Sequence, residues 1–237
     1  MHSSFLKHYR ISAWSKSRNP DALKQAETLI QMMEGLTKMV SGNDANKSPV
    51  LLVPDSITYS ILLHLLSRHR TRDAMRAQEI YDQINPQLLD TYTVNCLLSC
   101  WARSYQEDKA VRVKTILQQI SNSDVNVDII SYNTALNACA FTKGSKFTKN
   151  DALNIAMELF DEIFQPDNNL KANELTYSTI LKACINLSES TEERLELMRP
   201  ILQLCHQDRL IGKMVLKEIN FAFSDEVGKS LLDSVKS

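Results

Sequence analysis

Glycine and proline are scarce in this chain, five and six among 237 residues. A turn-rich all-β fold needs more of both, so the shortage favours helices joined by short polar turns. No run of apolar residues is long enough for a membrane span, which disfavours a membrane partner. An excess of either charge is also missing: the formal net charge is -1. That balance counts mildly against a polyanionic partner, although a repeating surface needs only a local basic stripe. The five cysteines, Cys96, Cys100, Cys139, Cys184 and Cys205, form no C-x-x-C pair, and the one close spacing, Cys96 to Cys100, is a single helical turn. The five histidines do not complete a zinc set, so no metal and no cofactor is expected. The thiols read as buried and reduced, in a compartment that does not oxidise them. Nucleophile-elbow, P-loop and His-Glu-x-x-His patterns are all missing, so the chain is expected to bind rather than catalyse.

What the chain does contain is one pattern written four times. Asp55-Ser56-Ile57-Thr58-Tyr59-Ser60 is followed by Asp90-Thr91-Tyr92-Thr93-Val94-Asn95, Asp128-Ile129-Ile130-Ser131-Tyr132-Asn133 and Asn173-Glu174-Leu175-Thr176-Tyr177-Ser178. The starts at Ser56, Thr91, Ile129 and Glu174 lie 35, 38 and 45 residues apart, a basic period of about 35 with insertions. Function should therefore lie along a surface rather than in a pocket.

Each repeat resolves into two helices. Counting its first residue as position 1, positions 7, 8, 10 and 11 read Leu62, Leu63, Leu65, Leu66; Leu97, Leu98, Cys100, Trp101; Ala135, Leu136, Ala138, Cys139; and Ile180, Leu181, Ala183, Cys184. These columns are one apolar face at helical period. A second helix carries anchors at x, x+3, x+4 and x+7: Ala77, Ile80, Tyr81, Ile84; Val113, Ile116, Leu117, Ile120; Ala156, Leu159, Phe160, Ile163; Met198, Ile201, Leu202, Cys205. Ala13-Trp14 matches Cys100-Trp101, and Ala26, Leu29, Ile30, Met33 repeats the second set, so a further repeat precedes Ser56. The expected array has repeats at about 4–55, 56–90, 91–128, 129–173 and 174–208, with a capping hairpin over 209–237. Thr37 to Pro49 and Phe141 to Asn150 are read as exposed insertions. Pro200 should kink the last second helix or mark its real start. No such hairpin buries both faces alone, so neighbours stack into an all-α, two-layer solenoid.

These residues resemble a pentatricopeptide repeat protein. The resemblance rests on the Thr-Tyr-Ser or Ser-Tyr-Asn tripeptides at Thr58, Ser131 and Thr176, the Asp or Asn before each repeat, and the A-x-x-[IL]-[YF] second-helix cores. It covers nearly the whole chain, and the tetratricopeptide signature W-x-x-L-G-x-x-Y is missing. It implies a right-handed superhelix that binds single-stranded RNA, about one base per repeat, each read by two or three side chains. Carried onto this chain, the base-reading pairs are Ser60 with Asp90, Asn95 with Asp128, Asn133 with Asn173, and Ser178 with Asp208. The stacking residues are Ile57, Tyr92, Ile130 and Leu175. An Asp carboxylate only accepts and so favours guanine or uracil, whereas an Asn amide also donates. With Ser implying purines and Asn pyrimidines in this family, the expected 5′ to 3′ reading is G, U, C or U, then a weaker G. His8 with Asp55 is left undecoded.

Each of these readings has a structural alternative. Asp55, Asp90, Asp128 and Asn173 would also serve as ordinary helix N-caps. Lys16, Arg68 and Arg103 share position 13 and are candidate phosphate contacts, with Arg70 and Arg72 adding local positive charge. Equally, they would complement a helix C-terminal dipole, and Phe141 and Asn186 break the column. The deaminase and nuclease extensions of some family members are missing after the repeats. Other RNA-processing proteins are further expected partners, and a protein-protein scaffold is the competing function for a solenoid surface. Family resemblance points to mitochondrion or plastid, although the first repeat begins too early to leave room for a transit peptide.

Overall fold

The computed structural model describes residues 21–41, 54–69, 73–121, 123–166 and 168–236, and these are α-helical apart from turns and one 3-10 segment. We number the helices α1 (Ala22–Ser41), α2 (Ser56–Arg68), α3 (Ala74–Asp82), α4 (Thr91–Arg103), α5 (Lys109–Ser121), α6 (Ile129–Ala140), α7 (Lys146–Ile163), α8 (Glu174–Leu187), α9 (Thr191–Gln207), α10 (Lys213–Ala222) and α11 (Asp225–Lys236). The chain divides into two compact units, Met1–Ser104 and Tyr105–Ser237.

Within the first unit, α2 packs on α1 and α3, and α4 packs on both α2 and α3. Within the second, α6 packs against α5, α7 and α8, while α8 also meets α7, α9 and α10; α11 closes on α9 and α10. First helices thus stack on first helices, α2 with α4 and α6 with α8 with α10. This is the nearest-neighbour packing of a helical repeat.

The apolar columns account for this arrangement. Every residue at positions 7, 8, 10 and 11 is buried in all four repeats, Leu63, Leu98, Leu136 and Leu181 completely. The second-helix anchors are buried as well, apart from the half-exposed Tyr81 and Leu29. Each repeat therefore hides two stripes of side chains, and at about 25 cal/mol per Å² of apolar surface these stripes supply most of the favourable folding term. The five thiols are all buried and unpaired with one another. Burial pushes each of them up to about 12, so they stay neutral at physiological pH.

Three expectations change. The segment Phe141 to Asn150 is only partly a loop, because Ser145 caps α7 through Thr148 N at 3.2 Å and the helix begins at Lys146. Much of the extra length is thus an added turn on the front of α7. Similarly, Thr37 to Ser41 continues α1, while 42–53 lies outside the described residues. Pro200 does not start its helix: α9 begins at Thr191, capped by Ser190, and runs through the proline, whose ring is exposed. Lys16, His8, Trp14, Arg70 and Arg72 also lie outside the described residues.

Candidate nucleic-acid interface

Each first helix opens with the same local chemistry. Asp55, Asp90, Asp128 and Asn173 sit in extended backbone one residue before α2, α4, α6 and α8. In every case Oδ1 accepts the backbone N–H of position 3: Thr58 at 2.9 Å, Thr93 at 2.7 Å, Ser131 at 2.9 Å and Thr176 at 3.0 Å. The position-3 hydroxyl donates to the same oxygen. At Ser131 and Thr176 that hydroxyl also accepts from the cap's own N–H, completing a capping box. The capping role is therefore real throughout this column. The cap bonds converge on one terminal atom, Oδ1, so capping leaves the other terminal atom of each side chain pointing elsewhere.

Position 2 is an apolar column where burial would be expected and exposure is found. Ile57, Tyr92, Ile130 and Leu175 are 50%, 55%, 59% and 46% exposed. In each unit two large apolar side chains at this repeat position are exposed and serve no core, Ile57 and Tyr92 in the first and Ile130 and Leu175 in the second.

Position 5 is buried or half-buried in all four repeats. Ser60 is buried and its hydroxyl donates to Ile57 O at 3.1 Å, so only its lone pairs remain for a ligand. Asn95 is half-buried. Asn133 is 7% exposed, and its Nδ2 donates to Asn173 Oδ1 at 3.5 Å. That orientation is fixed chemically, because Asn173 Oδ1 already accepts the Thr176 N–H and so must be the carbonyl end. Among the described residues no donor reaches the buried Asn133 Oδ1. A buried amide oxygen without a donor costs about 1–3 kcal/mol, so a water or a ligand group is its expected partner. The structure thus brings Asn133 and Asn173 together, whereas Asn95 and Asp128 fall in different units.

The fourth pair needs correction. Asp208 does not precede a first helix: it is the C-cap of α9, and its Oδ2 accepts the Tyr177 hydroxyl. Tyr132, also at position 4, makes the matching bond to Glu162 Oε2 at 3.1 Å near the end of α7. Asp208 therefore belongs to a column of acids that hold position-4 tyrosines. The residue that does precede α10 is Gly212, which has no side chain to cap with. Ser178 is buried, and its hydroxyl lies 3.5 Å from Glu218 Oε1 instead.

Position 13 holds an interaction that the residue types did not announce. Arg103 Nη1 donates to Ser67 O at 3.1 Å, and Asn186 Nδ2 donates to Ala140 O at 2.9 Å. Both acceptors are position 12 of the preceding repeat, so this side chain reaches back to a C-terminal carbonyl of the neighbouring first helix. Phe141, in the same column, is instead an exposed ring under Lys182 Nζ at 5.9 Å. Arg68 and Arg103 are exposed and both lower the pKa of His64, after the larger effect of its burial. That corner of the first unit is consequently positive while His64 stays neutral.

Among the described residues no helix is long and apolar enough to cross a membrane, and no group of three or more His, Cys, Asp or Glu could hold a metal. Comparison with protein families gives one match, to the pentatricopeptide repeat domain over residues 115–187. That stretch runs from within α5 through α6 and α7 to the end of α8, and so includes Asn133 and Asn173. No curated protein matches the chain.

Proposed function

We propose, from the match of residues 115–187 to the pentatricopeptide repeat domain, that the chain reads single-stranded RNA in a sequence-specific way, about one base per repeat, in organellar RNA metabolism. Domains of this family are RNA-binding helical repeats in general. The finer reading rests on Asn133. Its carbonyl is buried with no donor among the described residues, and the position-2 side chains Ile130 and Leu175 of the same two repeats are exposed.

In this reading a base between Ile130 and Leu175 meets both amides once their 3.5 Å contact opens, its N–H going to the Asn133 Oδ1 that is buried in the free chain and its acceptor to the Nδ2 end of Asn173. Cytosine and uracil each offer such a donor, and the amide pair tolerates both. Ser60 with Asp90 favours guanine, because the Asp90 carboxylate accepts and the Ser60 hydroxyl has already spent its proton on Ile57 O. For Asn95 and Asp128, which lie in different units, the preference for uracil is what the resemblance implies, Asn going with pyrimidines and Asp accepting an imino N–H. No step here moves a bond or a proton, so the chain acts by binding. Mitochondrion or plastid is the expected compartment, and other RNA-processing proteins are the expected co-partners.

Equilibrium binding of the purified chain to a short single-stranded RNA carrying G-U-pyrimidine, against its scrambled form and the matching duplex, tests this directly. Preference for the single strand, with affinity falling as salt rises, is the expected result. Equal weak binding to all three, or none, would leave a protein scaffold as the better account.

A further inference from the structure

We infer that the base-reading track ends after Asn133 and Asn173, closed by Glu174, Gly212 and Glu218; this rests on the RNA-reading function proposed above. The first helices α2, α4, α6 and α8 each carry their own Asp or Asn cap. Helix α10 does not. Gly212 stands at its N-cap, and the first-turn N–H of Met214 is taken instead by Glu174 Oε1 at 2.7 Å, from position 1 of the preceding repeat. A Cβ on Gly212 would run into that same carboxylate. The cap atom and the second reading side chain are one residue in the earlier repeats. Here the capping role has passed to Glu174, and no side chain is left to read.

The position-5 partner is closed off as well. Ser178 is buried against Glu218 Oε1, and Glu218 is itself buried and paired with Lys182 Nζ at 3.3 Å. The Glu174 carboxylate therefore fills the cap position and the Lys182-paired Glu218 lies against Ser178, so neither reading position is open to a fourth base. The terminal hairpin acts as an end stop, and the fourth nucleotide goes unread.

The test is selection from a randomised single-stranded RNA pool with three proteins: the wild type, a triple variant carrying Gly212→Asp, Glu174→Ala and Glu218→Ala, and Ser178→Ala. Gly212 has a φ of -113°, open to any residue, and Glu174→Ala removes the clash. Circular dichroism melting confirms that each variant folds. The wild type should discriminate at three successive nucleotides and be flat at the fourth, and Ser178→Ala should leave that profile unchanged. The triple variant, with Ser178 released from Glu218 and beside an Asp cap, should gain about tenfold preference for guanine at the fourth, the worth of one good hydrogen bond. A wild-type preference at the fourth nucleotide that Ser178→Ala erases would overturn the inference, as would a folded triple variant that stays flat there. No enrichment by the wild type at any position would instead overturn the RNA reading itself.

Discussion

Replacing Asn133 with leucine should make the RNA-free protein more stable and the RNA-bound protein less selective. The side chain is 7% exposed, and its Oδ1 has no donor among the described residues. Removing that oxygen recovers about 1–3 kcal/mol of desolvation cost. The change forfeits one long contact to Asn173, worth under about 1 kcal/mol at 3.5 Å. Asn173 keeps its cap bonds to Thr176 N and Oγ1, so no new orphan is created. Leucine has as many side-chain heavy atoms as asparagine but more bulk, which offsets part of the gain at a packed site, and it adds roughly 0.5 kcal/mol of helix propensity. The net expectation is a gain of up to about 1 kcal/mol, or a few degrees in the melting temperature of a unit of this size. Urea titration of the RNA-free protein reads the stability, and a panel of RNAs varied at the third nucleotide reads selectivity, which should flatten. A stabilised protein with weakened discrimination is the signature of strain kept for binding. Asn133→Leu that destabilises the free protein, or that leaves selectivity at the third nucleotide intact, would refute the reasoning.

Four further outcomes follow from the same geometry. Asp90→Ala removes the cap of α4 and should cost about 1 kcal/mol in urea unfolding, while Asp90→Asn keeps the cap and moves the preference at the first nucleotide away from guanine; equal loss in both variants would separate Asp90 from base reading. Arg103→Ala frees Ser67 O and should destabilise by about 1 kcal/mol; loss of RNA affinity with unchanged stability would make Arg103 a phosphate contact instead. Tyr177→Phe deletes the hydroxyl bonded to Asp208 and should cost about 1 kcal/mol without altering RNA preference, measured by melting and by pool selection. Finally, the buried thiols lie near 12 in the folded chain, above the ordinary thiol value of 9.0. Their neutral form is favoured by folding, so that stability is complete below pH 9 and is lost progressively as pH rises toward 12. Slow alkylation at pH 8 in buffer and rapid labelling of all five in denaturant would accompany this; fast labelling of the native chain contradicts it.

The helical hairpins were legible because burial leaves a periodic mark. Leu62, Leu63, Leu65 and Leu66 announce a face by composition alone, and the same four positions repeat three times more. The cap column was legible because Asp and Asn at an N-cap have a side-chain signature. Position 2 was visible as an apolar column, although its exposure was evident only in the fold. Asp208 was misplaced because a period of 35 was laid over a repeat that is longer, and because the true cap, Gly212, has no side chain to signal its role. The reach of Arg103 to Ser67 O and of Asn186 to Ala140 O left no pattern, since the acceptor is a backbone carbonyl that any residue supplies. The unpaired oxygen of Asn133 is likewise a property of packing: residue type shows only that a polar side chain occupies a helical position.

The central claim is that side chains in successive repeats read successive bases, and the most direct measurement is to select RNA from a randomised single-stranded pool with the wild type and with Asn95→Ser. The account predicts a G-U-pyrimidine core for the wild type, and a shift of the second nucleotide alone from U toward G in the variant. Unchanged selection in a folded Asn95→Ser protein, or a change spread over all positions, would contradict it.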